Sequence, residues 1–158
     1  MGKDEKWLDC ACGTGYGTNL LSNFCQNTIG YDIDEEAVNY ASKEYGSQRV
    51  EFISSLDDLE SLCDVIFSVE TIEHMSESEG EQFLTILNNS LKQDGVLVIT
   101  TPILKKTNYQ PSNKYHILEY SDEHFRHLLS RTGFVVEETK FVDTLFTDGE
   151  RKDQGYTP

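Results

Sequence analysis

Residues 9–17 read Asp-Cys-Ala-Cys-Gly-Thr-Gly-Tyr-Gly, a glycine cluster that closes one apolar run and opens an amphipathic one. Nothing else in the chain restricts its fold as much. Glycines between a strand and a helix let the backbone approach a ligand closely and take positive φ. The helix start behind them offers free N–H groups and the positive end of a dipole. Alone, such a cluster also fits a plain tight turn. Two observations favour a binding loop. The preceding residues, Trp7-Leu8-Asp9-Cys10-Ala11, read as a buried strand. An acidic residue, Asp32, ends the next strand, near the roughly 20-residue offset of a ribose-binding carboxylate.

The rest of the chain repeats this alternation. After the loop, Leu20, Leu21 and Phe24 fall at helical spacing. Asn27–Tyr31 reads as a second strand. Asp34 reads as an N-cap, with Ala37, Val38, Ala41 and Tyr45 on one helical face and Gly46 as the stop. Val50–Ile53 is a third strand, 56–62 an acidic loop or short helix, and Asp64–Val69 a fourth strand. Ser76 and Glu79 form a capping box before a helix with Phe83, Leu84, Leu87 and Leu91 inward. Asp94-Gly95 turns the chain into a fifth strand, Val96–Thr100, and a polar loop covers 101–115. Ser121 caps a helix with Phe125, Leu128 and Leu129 inward, closed by Gly133, and Phe134–Phe141 reads as a further strand. The pattern predicts one domain over 1–158 with a loose tail at 148–158. Its fold class is α/β: a Rossmann-like, doubly wound, mostly parallel sheet between two helical layers.

Charge narrows the partners. Thirteen basic residues against 28 acidic ones give −15, a field that repels phosphate backbones and anionic membranes. No apolar run nears the roughly 18 residues of a membrane span. Residues 1–6 are charged and lack a signal-peptide core. Cys10, Cys12, Cys25 and Cys63 make no CxxC pair, which suits reduced thiols and a cytoplasmic protein.

The loop also bears on which nucleotide it takes. Its spacing is Gly13-x-Gly15-x-Gly17 with Thr at 18, not the G-x-G-x-x-G of a dinucleotide site. Asp9 stands where it would repel a pyrophosphate but could hold an ammonium group. That favours an amino acid joined to adenosine. Asp9-x-Ala11-Cys12-Gly13-Thr14-Gly15 resembles motif I of class I S-adenosylmethionine-dependent methyltransferases, with Ala11 in place of the usual Gly. Gly30-Tyr31-Asp32-Ile33-Asp34 resembles their second-strand acidic motif. The resemblance implies that Asp9 and the loop from Ala11 through Tyr16 take the methionine moiety, Asp32 the ribose and Ile33 the adenine. Ser55 and Leu56 stand where those enzymes often carry a polar or acidic adenine contact, and Glu70 falls near the cofactor.

After the fourth strand comes Glu70-Thr71-Ile72-Glu73-His74, at the sheet edge where open α/β folds bind ligands. If a helical turn begins here, positions 70, 73 and 74 share one face. His74 then suits a polar loop residue, a general base for a substrate hydroxyl, or part of a metal site with Glu70 and Glu73. Oxygen-plus-imidazole donors suit Mg²⁺ or Mn²⁺. The E-x-x-E-H string resembles that of ubiquinone-biosynthesis O-methyltransferases and of Hen1-type small-RNA 2′-O-methyltransferases. In the latter it binds metal with a further His, for which His116 is the candidate here. His124 and His127 read as surface residues on a helix.

The expected activity is S-adenosylmethionine-dependent methyl transfer to a small molecule, at a hydroxyl oxygen. Glu73, His74 and His116 are the catalytic candidates. The alternatives are a Hen1-type RNA methyltransferase and a non-catalytic cofactor-binding module; an NAD-dependent oxidoreductase fits the loop spacing less well. Nucleic acid is disfavoured by the charge. The sequence further predicts a pared-down domain without the usual N-terminal helix and last strand, since the first strand starts at Trp7 and the stretch after Phe146 is polar. That implies about six strands, an uncovered apolar face or edge, weak cofactor binding and a tendency to homodimerise.

Overall fold

The computed structural model describes residues 5–141. The predicted tail at 148–158 and the missing last strand fall outside the described residues. Five parallel strands form the main sheet: β1 (Lys6–Cys10), β2 (Asn27–Tyr31), β3 (Val50–Ile53), β4 (Cys63–Val69) and β5 (Leu91–Thr100), in the order β3-β2-β1-β4-β5. Helices α1 (Tyr16–Leu21) and α2 (Glu35–Tyr45) connect β1 to β2 and β2 to β3. The longer α3 (Glu77–Ser90) connects β4 to β5. Right-handed crossovers running outward in both directions from β1 and β4 put α1 and α2 on one face and α3 on the other. This is the predicted three-layer arrangement, with the strand order reversing between β1 and β4.

Strand alternation builds the two faces. Leu8, Cys10, Ile29, Ile53 and Ile66 point to the α3 side and form one core with Leu87 and Leu91. A second core, of Ile72, Leu84, Leu118, Tyr120, Phe125, Leu128 and Leu129, joins α3 to the last helix, α4 (Asp122–Arg131). Phe83, Leu97 and Phe134 pack against both. The predicted caps are present. Asp34 accepts from Glu36 and Ala37 N–H, Ser76 and Glu79 form the reciprocal box, and Ser121 accepts from His124 N–H.

Five expectations need correction. β5 begins at Leu91 and runs through Asp94-Gly95 with an irregularity in register, so Leu91 lies on the strand and not on α3. The main sheet has five strands among the described residues, not about six, because 134–141 forms no ladder. Phe134 and Val136 alternate inward and Val135 outward as a strand would, but among the described residues no strand pairs with this segment. The segment between β5 and α4, expected to be a polar loop over 101–115, is less irregular than that. Within it β6 (Ile103–Leu104) pairs in parallel with β7 (Tyr120–Ser121). The helix after the glycine loop is six residues long and buries Thr18, while Leu20 and Phe24 lie on the surface. His124 is not a simple surface residue. Its ring nitrogens meet Thr107 Oγ1 at 2.9 Å and Glu77 Oε1 at 3.2 Å, and its ring packs edge-on against Tyr120.

Val96 and Val98 of β5 are 48% and 41% exposed and lie in register with Val65 and Phe67 on the α1 face. Among the described residues, that face carries exposed apolar side chains on β5.

Candidate functional site

Every candidate site residue sits at the carboxyl edge of the sheet, around the point where the strand order reverses. The first group is the loop after β1. Ala11, Gly13 and Gly15 have φ of 65°, 53° and 84°, so three residues of five take left-handed backbone. Ala11 bears the strain that a glycine there would avoid. The loop is held from β2: Cys12 N–H donates to the Tyr31 carbonyl at 2.9 Å, and Gly13 N–H donates to Asp32 Oδ2 at 2.7 Å.

Two glycines set the closeness of this packing. A Cβ on Gly15 would lie 2.7 Å from both Ala41 Cβ and the Phe52 ring. A Cβ on Gly13 would meet nothing within 4 Å. Gly15→Ala therefore combines left-handed strain with a clash, for a loss of about 3 kcal/mol. Gly13→Ala should lose only about 1 kcal/mol, from strain alone. Thermal melts of the two variants check this difference.

Asp9 is buried beneath the loop, where its Oδ2 accepts from Thr18 Oγ1 at 2.7 Å. Burial raises its pKa above the usual carboxylate range, and the Thr18 hydroxyl opposes that shift. A Cβ on Gly17 would come within 3.0 Å of the same oxygen, so the first turn of α1 lies directly against it. Asp32 follows β2 with both oxygens engaged: Oδ2 by Gly13 N–H, and Oδ1 by Asp34 N–H at 3.0 Å. Each carboxylate oxygen accepts about two hydrogen bonds, so both retain capacity for a ligand's hydroxyls. Next to it, Ile33 is 83% exposed. Ser55 Oγ accepts from Asp57 N–H at 3.2 Å and caps a short 3₁₀ turn over Leu56–Asp58. Leu56 packs half-buried on the core. Tyr16 and Thr14 are exposed at the loop's outer rim.

The second group lies after β4. Ile72–His74 is a single 3₁₀ turn. Glu73 is fully buried. Its Oε2 accepts from Thr101 Oγ1 at 3.1 Å, while its Oε1 is buried with no hydrogen-bond partner among the described residues. Burial raises the pKa of this carboxyl, and the nearby Glu70 adds to the rise. The Glu73 carbonyl accepts from the N–H groups of Ile117, at 2.7 Å, and Leu118, at 3.1 Å. This pins the 116–118 segment onto the turn and brings His116 to it. One ligand atom each from Glu73, His74 and His116 lie within 4.8 Å of one another. The two rings meet edge-on with centroids 5.2 Å apart.

Both imidazoles are oriented through Nδ1. That of His74 is 2.7 Å from the Tyr115 carbonyl, which can only accept, so the neutral ring carries its proton on Nδ1 and its lone pair on Nε2. That of His116 is 2.7 Å from Glu119 Oε1. Metal-binding histidines are held in this way, by a carbonyl or carboxylate on the far nitrogen. The donor set and the orphaned Glu73 oxygen fit a divalent cation. Glu70 does not join the trio. Its φ of 51° places it outside the turn, and its Oε1 accepts from Thr100 Oγ1 at 2.8 Å. Glu119 escaped the sequence reading; its signal is the spacing of three from His116 in Tyr-His-Ile-Leu-Glu-Tyr.

Fold, glycine loop and edge acids together define a Rossmann-like domain of the class I methyltransferase kind. Residues 8–99 match the family described as "Methyltransferase domain". The chain belongs to that family, whose cofactor is S-adenosylmethionine. A Mycolicibacterium smegmatis protein named "Probable S-adenosylmethionine-dependent methyltransferase" is 28% identical over 137 residues, covering 84% of this chain and 52% of the relative. A malonyl-[acyl-carrier protein] O-methyltransferase of Acetivibrio thermocellus is 28% identical, covering 83% of this chain and 43% of the relative. The chain spans about half the length of the curated relatives it matches.

Solved structures share the fold at lower identity. One is the complex between the Haloferax volcanii Trm112 methyltransferase activator and a methyltransferase. It matches with a TM-score of 0.75 at 18% identity, covering 94% of this chain and 69% of that one. A Brevibacillus brevis polyketide-synthase O-methyltransferase with S-adenosyl-L-homocysteine matches at 0.69 and 17% identity, covering 85% and 48%. Among the described residues no helix is long and apolar enough to cross a membrane.

Proposed function

We propose that this chain transfers the methyl group of S-adenosylmethionine to a hydroxyl oxygen of a small molecule. The observation that carries the reading is the convergence, at one sheet edge, of the glycine loop held by Asp32 and the oriented Glu73–His74–His116 cluster. In this reading Asp32 takes the ribose hydroxyls and Ile33 forms a wall for the adenine. Asp9 and the loop of Ala11, Cys12, Gly13, Thr14, Gly15 and Tyr16 hold the methionine moiety. Ser55, Leu56 and Glu70 border the same site. His74 or His116, through its free Nε2, takes the acceptor's proton as the oxygen attacks the sulfonium methyl. The sulfonium becomes a thioether and the proton stays on the imidazole. Orientation of the two reactants is the main contribution, on the order of 7–11 kcal/mol.

Glu73, His74 and His116 would also hold a divalent cation such as Mg²⁺ or Mn²⁺. When bound, it supplies Lewis-acid polarisation of the acceptor hydroxyl. The buried Glu73 oxygen without a partner favours this second reading. Glu119 acts through His116 as a positioning residue.

Calorimetric titration with S-adenosyl-L-homocysteine and with NAD tests the nucleotide assignment. Saturable one-to-one binding of the first and none of the second is expected. Binding of NAD alone would overturn it.

A further inference from the structure

Between Asp94 and Glu119 the sequence holds no carboxylate, but it holds Lys105, Lys106 and Lys114 with Tyr109 and Tyr115. It is a positive island in a chain of net charge −15. The cations outside it mostly have partners: Lys92, Arg126, Arg131 and Lys140 each pair with a carboxylate. Among the described residues none pairs with the three lysines of the island. Lys114 Nζ stands 4.7 Å from the centre of the Tyr115 ring. Tyr115 is 67% exposed, and its carbonyl is the group that orients His74. An ammonium and an exposed aromatic ring therefore belong to the two residues that precede His116, one of which holds His74 through its carbonyl. A lysine kept free in so acidic a protein is available to an anion from solution. Screening limits the repulsion from distant carboxylates to roughly 8 Å, so the local charge decides.

We propose that the methyl acceptor carries an anionic group, a carboxylate or a phosphate. Lys114 holds that group, and the Tyr115 ring lies against the acceptor's body while its hydroxyl faces Glu73, His74 and His116. This rests on the methyltransferase reading above and names the acceptor's chemical class. The Lys114–Tyr115 pair is the specificity device. Lys105 and Lys106 add positive charge to the same stretch of sequence.

The test uses the full chain saturated with S-adenosyl-L-homocysteine and titrated with matched acceptors. These are glucose, glucuronate and glucose 6-phosphate, then catechol and 3,4-dihydroxybenzoate. Each series should show an anionic member binding about fivefold or more tighter than its neutral counterpart, with the gap closing as salt is raised. The better anion of the sugar series identifies carboxylate or phosphate as the source. Lys114→Glu should abolish the preference and Lys114→Arg should keep it. Lys43→Glu makes the same charge change in the last turn of α2, at the opposite sheet edge, and should also keep it. Equal binding of neutral and anionic members overturns the proposal. So does a preference that survives Lys114→Glu, or a short RNA that outbinds both small anions. Failure of S-adenosyl-L-homocysteine to bind overturns the methyltransferase reading with it; normal cofactor binding without anion preference overturns this proposal alone.

Discussion

Asp32→Ala should lower the affinity for S-adenosyl-L-homocysteine by about a hundredfold or more while the domain stays folded. Hydrogen bonds to a charged partner contribute about 1.5–3 kcal/mol each, and the two ribose hydroxyls would both be lost. The substitution acts a second time through the loop. Asp32 Oδ2 fixes Gly13 N–H at 2.7 Å, in a segment where Ala11, Gly13 and Gly15 all have positive φ. Without that anchor the loop must be ordered by the ligand, which weakens binding further. The fold survives because Asp32 lies outside both apolar cores, and the Gly13 and Asp34 N–H groups it releases can reach water. Asp32→Asn keeps the shape and one acceptor oxygen, so it should fall between wild type and Ala. Calorimetry and thermal melts measure the two effects separately. Unchanged affinity in Asp32→Ala would remove this residue from the cofactor site.

The parts of the fold that sequence foretold are those decided within a few residues. Asp34, Ser76 and Ser121 act as caps because a short side-chain oxygen needs only the next turn's N–H groups. β1 through β4 were legible as short apolar runs between turn residues, and α2 as a periodic face ending at Gly46. What failed depended on distant partners. The 134–141 segment has strand-like alternation, but a ladder needs a second strand, and among the described residues none pairs with it. Leu20 and Phe24 have helical spacing, but α1 ends at Leu21 and both side chains stay largely exposed.

The site divides in the same way. The loop and Asp32 could be read because their spacing is a property of one strand–turn–helix unit. The joining of His74 to His116 depends on the Glu73 carbonyl receiving two N–H groups from across the fold. Glu70 was grouped with Glu73 on the premise of a continuous turn, and its left-handed backbone breaks that turn. Glu119 was missed for a related reason: its spacing of three from His116 points to a contact only where the backbone turns locally, and this segment is not a helix.

Glu73→Gln combined with His74→Ala should reduce methyl transfer by on the order of 10²–10⁴, with S-adenosyl-L-homocysteine affinity near that of the wild type. The change removes both the buried acid and one of the two oriented imidazoles, and neither touches the glycine loop. Glu73→Gln alone gives a second readout, through stability. Burial raises the Glu73 pKa above its unfolded value, so the folded protein holds this proton more tightly than the unfolded chain does. Its ionised form is therefore a burden on the metal-free fold above the raised pKa. The burden lifts as pH falls through that pKa, and the pH slope it causes should flatten in Glu73→Gln. A divalent cation changes the sign, because it requires the ionised carboxylate. Mn²⁺ at a hundred times its dissociation constant should stabilise the wild type by about 2.7 kcal/mol, or roughly 5–10 °C in Tm. The double variant should show no such shift. A wild type indifferent to Mn²⁺ but still disabled by the double substitution would assign the proton transfer to the histidines alone. A collapse of cofactor affinity would instead move Glu73 and His74 into the S-adenosylmethionine site.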